Sequence, residues 1–221
     1  MSAAARVAPD GRAEPVVVVS GVTHGQRSAG VPIVADVSFT ALPGQVVVIE
    51  GRSGSGKSTL CHLVAGLEPP DRGTVLVGGD PAASVHDWGR LALLPQRLGL
   101  PAELTVEQNI TFPCWMAGRP DRPELVEAYD LGHLVGRLTG QASRGEQQRV
   151  AIARAAALDP DVVVLDEPTS HQDEAHAEVV VERLLALARA GSAVLIATHD
   201  ARLVSAADRV VHLHAGVQHS P

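Results

Sequence analysis

Residues 46–66 read VVVIEGRSGSGKSTLCHLVAG. The opening run, Val46 to Glu50, is short and β-branched, the pattern of a strand buried on both faces. Ser58 to Gly66 reads as the following helix, stopped by Gly66 and the EPPDRG turn. Between them Gly51, Gly56, Lys57 and Ser58 fit G-x-x-x-x-G-K-[ST] in the strand-to-helix setting that gives the motif its meaning. Glycines let backbone N–H groups close around a phosphate, and the helix N-terminus behind them adds a favourable dipole. Gly51, Ser53, Gly54, Ser55, Gly56, Lys57, Ser58 and Thr59 are therefore the candidate phosphate cradle. Lys57 would reach the β and γ phosphates, and the Ser58 hydroxyl would ligate Mg²⁺.

Lys57 is the only lysine in 221 residues; every other basic side chain is arginine. An ammonium is a compact point charge that fits inside a ring of backbone donors, whereas a guanidinium brings a planar fork of fixed geometry. The competing explanation is that a composition poor in lysine left one here by chance.

The rest of the chain is globular in character, with 45% hydrophobic and 19% charged residues. A formal charge of −7 argues against nonspecific adhesion to nucleic acid or anionic lipid. Cys61 and Cys114 are too few for a disulfide framework and read as thiols. Residues 1–14 lack the apolar core of a secretory signal and read as a flexible tail. PVVVV, VVVI, VVVL and AVLIA all fall far short of the ~18 residues of a membrane span, so a membrane role requires a partner.

Further strands are expected at Thr74–Val77, Leu91–Leu94, Val162–Leu165, Val194–Ala197 and Val210–Leu213, alternating with helical segments in an α/β pattern. No comparable run lies between about Gly99 and Pro160, which predicts a helical lobe inserted into the sheet domain. Thr105 with Gln108, and Ser143 with Glu146, have capping-box spacing.

VVVLDEPTS, residues 162–170, is an apolar strand ending in two carboxylates. Asp166 is placed to hold Mg²⁺ and Glu167 to orient or deprotonate an attacking water, a contribution of about 10²–10⁴-fold. A solvated turn explains such a pair equally well when it stands alone. AVLIATHD puts His199 at the end of another buried strand.

Taken in order, these segments resemble the nucleotide-binding subunit of an ABC transporter over residues 15–216. The resemblance implies a P-loop NTPase core with a mostly parallel sheet, an N-terminal antiparallel β portion and the helical lobe at about 99–160, with 15–221 forming one ATP-binding domain. LLPQ is similar to the family's Q-loop, which gives Gln96 a role at Mg²⁺ and the γ-phosphate and in relay to the membrane subunit. SRGEQQRVAIARA resembles the signature segment, so that Ser143 and Gly145 would cap a γ-phosphate held by a second subunit. SHQD resembles the D-loop at Asp173, and THD the switch histidine at His199. Within the family, LPAELTVEQNITFPCWMAG and THDARLVSAADRVVHL look most like the lipoprotein-release and macrolide-export group.

The chain also departs from the family pattern. Arg144 replaces a glycine in the signature, and two readings stand: its charge helps to hold nucleotide, or its bulk keeps two subunits apart. His24, expected in a loop, stands near the aromatic residue that stacks on adenine; a smaller ring implies looser base selection, since full stacking is worth ~1–3 kcal/mol. Gln172 precedes Asp173 where leucine is usual, with no mechanism evident in the sequence. His171, His176, His212, His214 and His219 lack the spacing or companions of a zinc shell.

The expected function is an ATPase motor. Two copies, or this chain and a related one, close around two Mg²⁺-ATP and drive separate membrane permease subunits from the cytoplasmic face, with no role for nucleic acid. The alternative is a weakly hydrolysing regulatory module paired with a consensus partner. A GTPase is disfavoured because its N-K-x-D motif needs a second lysine.

Overall fold

A computed structural model describes residues 13–26 and 30–219; the tail expected over 1–14 lies outside them except for its last two residues. Among the described residues the chain runs β1 (Val17–Gln26), β2 (Pro32–Ala41), β3 (Val46–Glu50), α1 (Lys57–Val64), β4 (Arg72–Val77), β5 (Asp80–Pro81), β6 (Leu91–Leu94) and α2 (Val106–Met116). It continues through α3 (Glu124–Ala128), α4 (Arg144–Ala156), β7 (Val162–Asp166), α5 (Glu174–Arg189), β8 (Ala193–Thr198), α6 (Ala201–Ser205), β9 (Arg209–His214) and β10 (Val217–His219).

The strands form one sheet in the order β5-β4-β1-β2-β10-β9-β3-β8-β7-β6. From β9 to β6 the neighbours are parallel, and β5, β4, β1 and β2 pair antiparallel. Val217 in β10 pairs parallel with Ala35 in β2 and joins the two portions. This is the α/β fold that the alternation of apolar runs and helices predicts.

Those runs are unbroken because both faces of the central strands are covered. Val47, Ile49, Val162, Val164, Ala193, Leu195 and Ala197 point into one core, shared with α1 and the antiparallel strands. Their alternates Val46, Val48, Val163, Leu165, Val194 and Ile196 point into the other, shared with α2, α4 and α5. Each fully buried Val, Leu or Ile contributes about 1.5–3 kcal/mol, so a polar residue at any of these positions would be costly.

The helix after the glycine loop ends as expected. Gly66 has φ +70°, its N–H bonds the Leu63 carbonyl at 3.2 Å, and the Leu67 N–H bonds the His62 carbonyl at 3.0 Å. This two-bond closure satisfies the last carbonyls of α1 and needs a residue at ease in the left-handed region. Between β6 and β7 the described elements are helical apart from one bridge, Thr105 to Leu138. Both expected capping boxes are formed. Among the described residues, no helix is long and apolar enough to cross a membrane.

Candidate active site

Parallel strands deliver their carboxyl ends to one edge, and the topology selects which ends become neighbours. Glu50 of β3 is in register with Thr198 of β8, and Asp166 of β7 with Ala197 of β8. The glycine loop, the carboxylate pair and the T-H-D turn therefore meet on the edge where open α/β sheets bind ligands. β6, parallel to β7, ends on the same edge, and Gln96 lies in the exposed segment that follows.

The loop is built for an anion. Gly56 is the N-cap of α1 at φ +105°, and a Cβ there would lie 2.9 Å from the Ile33 carbonyl oxygen. Helices α2, α4, α5 and α6 are capped by the side chains of Thr105, Ser143, Asp173 and Asp200; α1 and the short α3 have no side-chain cap. The first-turn N–H groups of a helix need acceptors, and a phosphate is an acceptor suited to them. Lys57 is 8% exposed, and its ammonium donates to the Gly51 carbonyl oxygen at 2.8 Å and lies 3.7 Å from Glu167 Oε1. The Ser55 hydroxyl is buried without a partner.

Asp166 is 2% exposed and accepts a hydrogen bond from the Ser58 side chain, yet its Oδ2 has no partner. Burial pushes its carboxyl above the ordinary 3.8, although the Ser58 bond pulls the other way. An orphaned buried carboxylate oxygen beside a hydroxyl is a hard-oxygen pair suited to Mg²⁺ with phosphate oxygens completing the shell.

Glu167 follows β7 in the left-handed region at φ +51°. Its N–H bonds the Ala197 carbonyl at 2.8 Å, and its own carbonyl accepts from Gln148 Nε2 at 3.2 Å. The Thr198 hydroxyl donates to Oε2 at 3.2 Å, and His199 Nδ1 lies 3.1 Å from Oε1. The His199 side chain is otherwise open to solvent, 81% exposed. The constellation thus contains Lys57, Ser58, Asp166, Glu167 and His199 from the sequence reading. Thr198 and Gln148 were missed, although both lie inside segments whose family likeness was noted.

Ser143, Gly145 and Asp173 form a second cluster at the N-terminal ends of α4 and α5. Among the described residues, no hydrogen bond or ion pair joins it to Lys57, Ser58 or Asp166. Ser143 accepts from the Glu146 N–H at 3.3 Å, and Glu146 Oε2 accepts from the Ser143 N–H at 2.7 Å. Arg144 is exposed at the start of α4. Asp173 accepts from the His176 N–H at 2.9 Å, with His176 Nδ1 at 2.8 Å.

Burial works to raise the Glu146 carboxyl, but hydrogen bonds from the His133 ring and from the Ser143 amide and hydroxyl outweigh it and hold the carboxyl down to about 2. The folded value lies below the ordinary 4.5, so this contribution to stability is present above 4.5 and is lost as pH falls through about 2. Thermal melts of Glu146→Gln are expected to lose less Tm than the parent across that window. An acid limb identical to the parent's would remove the capping pair as its source.

His24 lies within β1 and not in a loop. Its Nε2 sits 2.9 Å from Glu68 Oε2, and its Nδ1 lies 3.8 Å from Asp71 Oδ1. The bridge reaches across to the turn after α1, which is invisible in the sequence at a separation of 44 residues. Of the five histidines weighed as zinc ligands, four have partners of their own. His176 Nε2 is 3.4 Å from Asp130, His212 Nδ1 is 3.0 Å from Glu50, and the rings of His214 and His219 meet edge-on at 5.8 Å.

A groove of about 630 Å³ opens beside the segment carrying Gln96, lined in part by Leu67, Trp88, Leu93, Pro95, Leu98 and Phe112. Trp88 is 47% exposed, with its ring 6.2 Å from that of Phe112.

Comparison with known proteins agrees with this geometry. The family model described as ABC transporter matches residues 34–170. The lipoprotein-releasing system ATP-binding protein LolD of Novosphingobium aromaticivorans is 38% identical, covering 92% of this chain and 98% of its own. LolD of Granulibacter bethesdensis is 41% identical, covering 79% and 82%. Among solved structures, an ATP-binding subunit of an ABC transporter superposes with a TM-score of 0.83 at 26% identity, covering 93% of this chain and 88% of that one. The dimeric ATP-binding cassette MJ0796, in a post-hydrolysis state bound to ADP and Pi, gives 0.83 at 25% identity, covering 92% and 97%. The expected likeness to the lipoprotein-release group is met by the LolD relatives. With its glycine loop, carboxylate pair and T-H-D turn gathered on one sheet edge, the chain belongs to the ABC transporter family, as an ATP-binding and ATP-hydrolysing subunit.

Proposed function

We propose that two cassettes close around two Mg²⁺-ATP and that their closing and reopening drives integral membrane permease subunits from the cytoplasmic face of the membrane. The observation that carries this reading is the convergence of Lys57, Asp166, Glu167 and His199 at the carboxyl ends of β3, β7 and β8. The dimeric state of the MJ0796 cassette supports the pairing. We take residues 15–221 as one cassette, with the helical lobe at about 99–160.

Residues 51–59 would hold the phosphates, with Lys57 at β and γ. Ser58 and Asp166, joined by Gln96, would hold Mg²⁺, which when bound neutralises developing charge on the phosphate oxygens. Glu167 takes the proton of the attacking water. Its carboxylate is already aimed by Thr198 Oγ1 and by the ring of His199. The exposed His199 ring needs only to turn from Glu167 to meet the γ-phosphate. Ser143 and Gly145 would cap the γ-phosphate of the other cassette, and Asp173 would face it across the interface. His24 would sit at the base, where an imidazole offers less stacking area than a full aromatic ring.

The groove beside Gln96 would receive a helix of the permease, its apolar floor matched by an apolar helix face and its nearness to Gln96 carrying the relay. The test is ATP turnover with the permease in lipid vesicles. Trp88→Glu is expected to remove the stimulation that the permease gives, while ATP affinity of the isolated chain stays within about twofold, because Trp88 lies outside the phosphate site. Unchanged stimulation in that variant would place the permease elsewhere.

A further inference from the structure

Gln172 is the departure for which the sequence supplied no mechanism. Its side chain joins two elements. Nε2 donates to the Gly145 carbonyl in the first turn of α4 at 2.9 Å, and Oε1 accepts from Arg149 Nη1 at 3.1 Å. Arg149 is 3% exposed and is held in turn by the carbonyls of Tyr129, at 3.0 Å, and Asp130, at 3.4 Å. The two backbones touch as well, since a Cβ on Gly145 would lie 2.9 Å from the His171 carbonyl oxygen.

The segment from Glu167 to Asp173 is thereby fixed to α4 at both ends. Gln148 holds the Glu167 carbonyl at one end, and Gln172 holds Gly145 and Arg149 at the other. Two residues within it, Glu167 at φ +51° and His171 at φ +63°, occupy the left-handed region and need such restraint to persist. Directly beyond Gln172, Asp173 caps α5.

We propose that Gln172 is a positioning residue that locks the first turn of α4 to the loop carrying Glu167 and Asp173, so that Ser143, Glu167 and Asp173 shift as one body when two cassettes meet. The proposal rests on the reading that Ser143 caps nucleotide held by the other copy. An aliphatic side chain at 172 would leave a buried guanidinium N–H and the Gly145 carbonyl without these partners. The amide at 172 serves a donor and an acceptor with one side chain.

Two variants separate coupling from stability. Gln172→Leu breaks both bonds; Gln172→Glu keeps an acceptor for Arg149 and loses the donor to Gly145. Amide hydrogen exchange of the isolated chain, without nucleotide, reads the lock directly. Gln172→Glu is expected to exchange about tenfold faster in residues 144–147 and 170–173 together, the loss of roughly one hydrogen bond, and Gln172→Leu, which loses both, at least as fast. Gln172→Glu is expected to keep the parental Tm, because Arg149 retains its partner. In steady-state turnover both are expected to lose about tenfold in kcat with KM within about twofold, because the phosphate site of each copy is untouched.

Parental exchange in both segments would overturn the lock. So would recovery of exchange and kcat together in Gln172→Glu, which would leave only the packing of Arg149. Failure of the Glu167→Gln chain to dimerise with ATP, with the exchange result as expected, would remove the reading of Ser143 and leave the lock standing.

Discussion

Glu167→Gln is expected to bind ATP, to hydrolyse it about 10²–10⁴-fold more slowly than the parent, and to double in mass by light scattering only when Mg²⁺-ATP is present. Glutamine keeps the shape of glutamate and an oxygen for the Thr198 hydroxyl, which donates to Oε2 at 3.2 Å. It removes the base, so the attacking water has no acceptor for its proton. It also removes a negative charge 3.7 Å from the Lys57 ammonium, in a place where the γ-phosphate brings more negative charge. Like-charge repulsion falls and the closed, ATP-loaded pair persists. Parental turnover would remove Glu167 as the base. A chain that binds ATP and stays monomeric would favour the second reading of Arg144, whose exposed side chain at the start of α4 would then hold two copies apart.

Lys57→Ala is expected to weaken ATP binding by about 10- to 150-fold, from the ~1.5–3 kcal/mol of a hydrogen bond to a charged group, and to lower turnover by at least as much. Lys57→Arg is expected to restore little of either. The ammonium is 8% exposed and donates to the Gly51 carbonyl at 2.8 Å inside its own loop, a space cut for a point charge. A guanidinium there would push against Gly51 or displace Glu167. Titration with a fluorescent ATP analogue and steady-state turnover check both variants. Arginine within threefold of the parent would make the lone lysine an accident of composition. Because the chain has one lysine, protection of that residue by ATP against an amine-reactive reagent reports the same contact at a single side chain.

The sequence alone determined the elements whose physics is local. The runs at 46–50, 91–94, 162–165 and 194–197 became strands to within a residue at each end, because burial on both faces leaves no polar position to blur them; 210–213 did so with one face partly exposed, and β4 began two residues before the expected Thr74, at its exposed polar end. The helix starts at Thr105 and Ser143 were legible because a capping box is complete within four residues. The phosphate loop was legible for the same reason, as its donors, cation and helix are consecutive. β2, β5 and β10 were not: β5 and β10 are two and three residues long, and β2 is interrupted by Asp36, Ser38 and Thr40, so none carries an unbroken apolar run even though each pairs with its neighbour in the chain. Only the tertiary structure decided what meets what. Sheet order set Glu50 beside Thr198 and Asp166 beside Ala197, which turned two unremarkable strand ends into one site. It sent the His24 ring to Glu68 and gave Gln172 its two partners. A hydrogen bond between residues 27 or 44 positions apart leaves no periodic trace in the chain, because its geometry exists only once the sheet and α4 have fixed both ends.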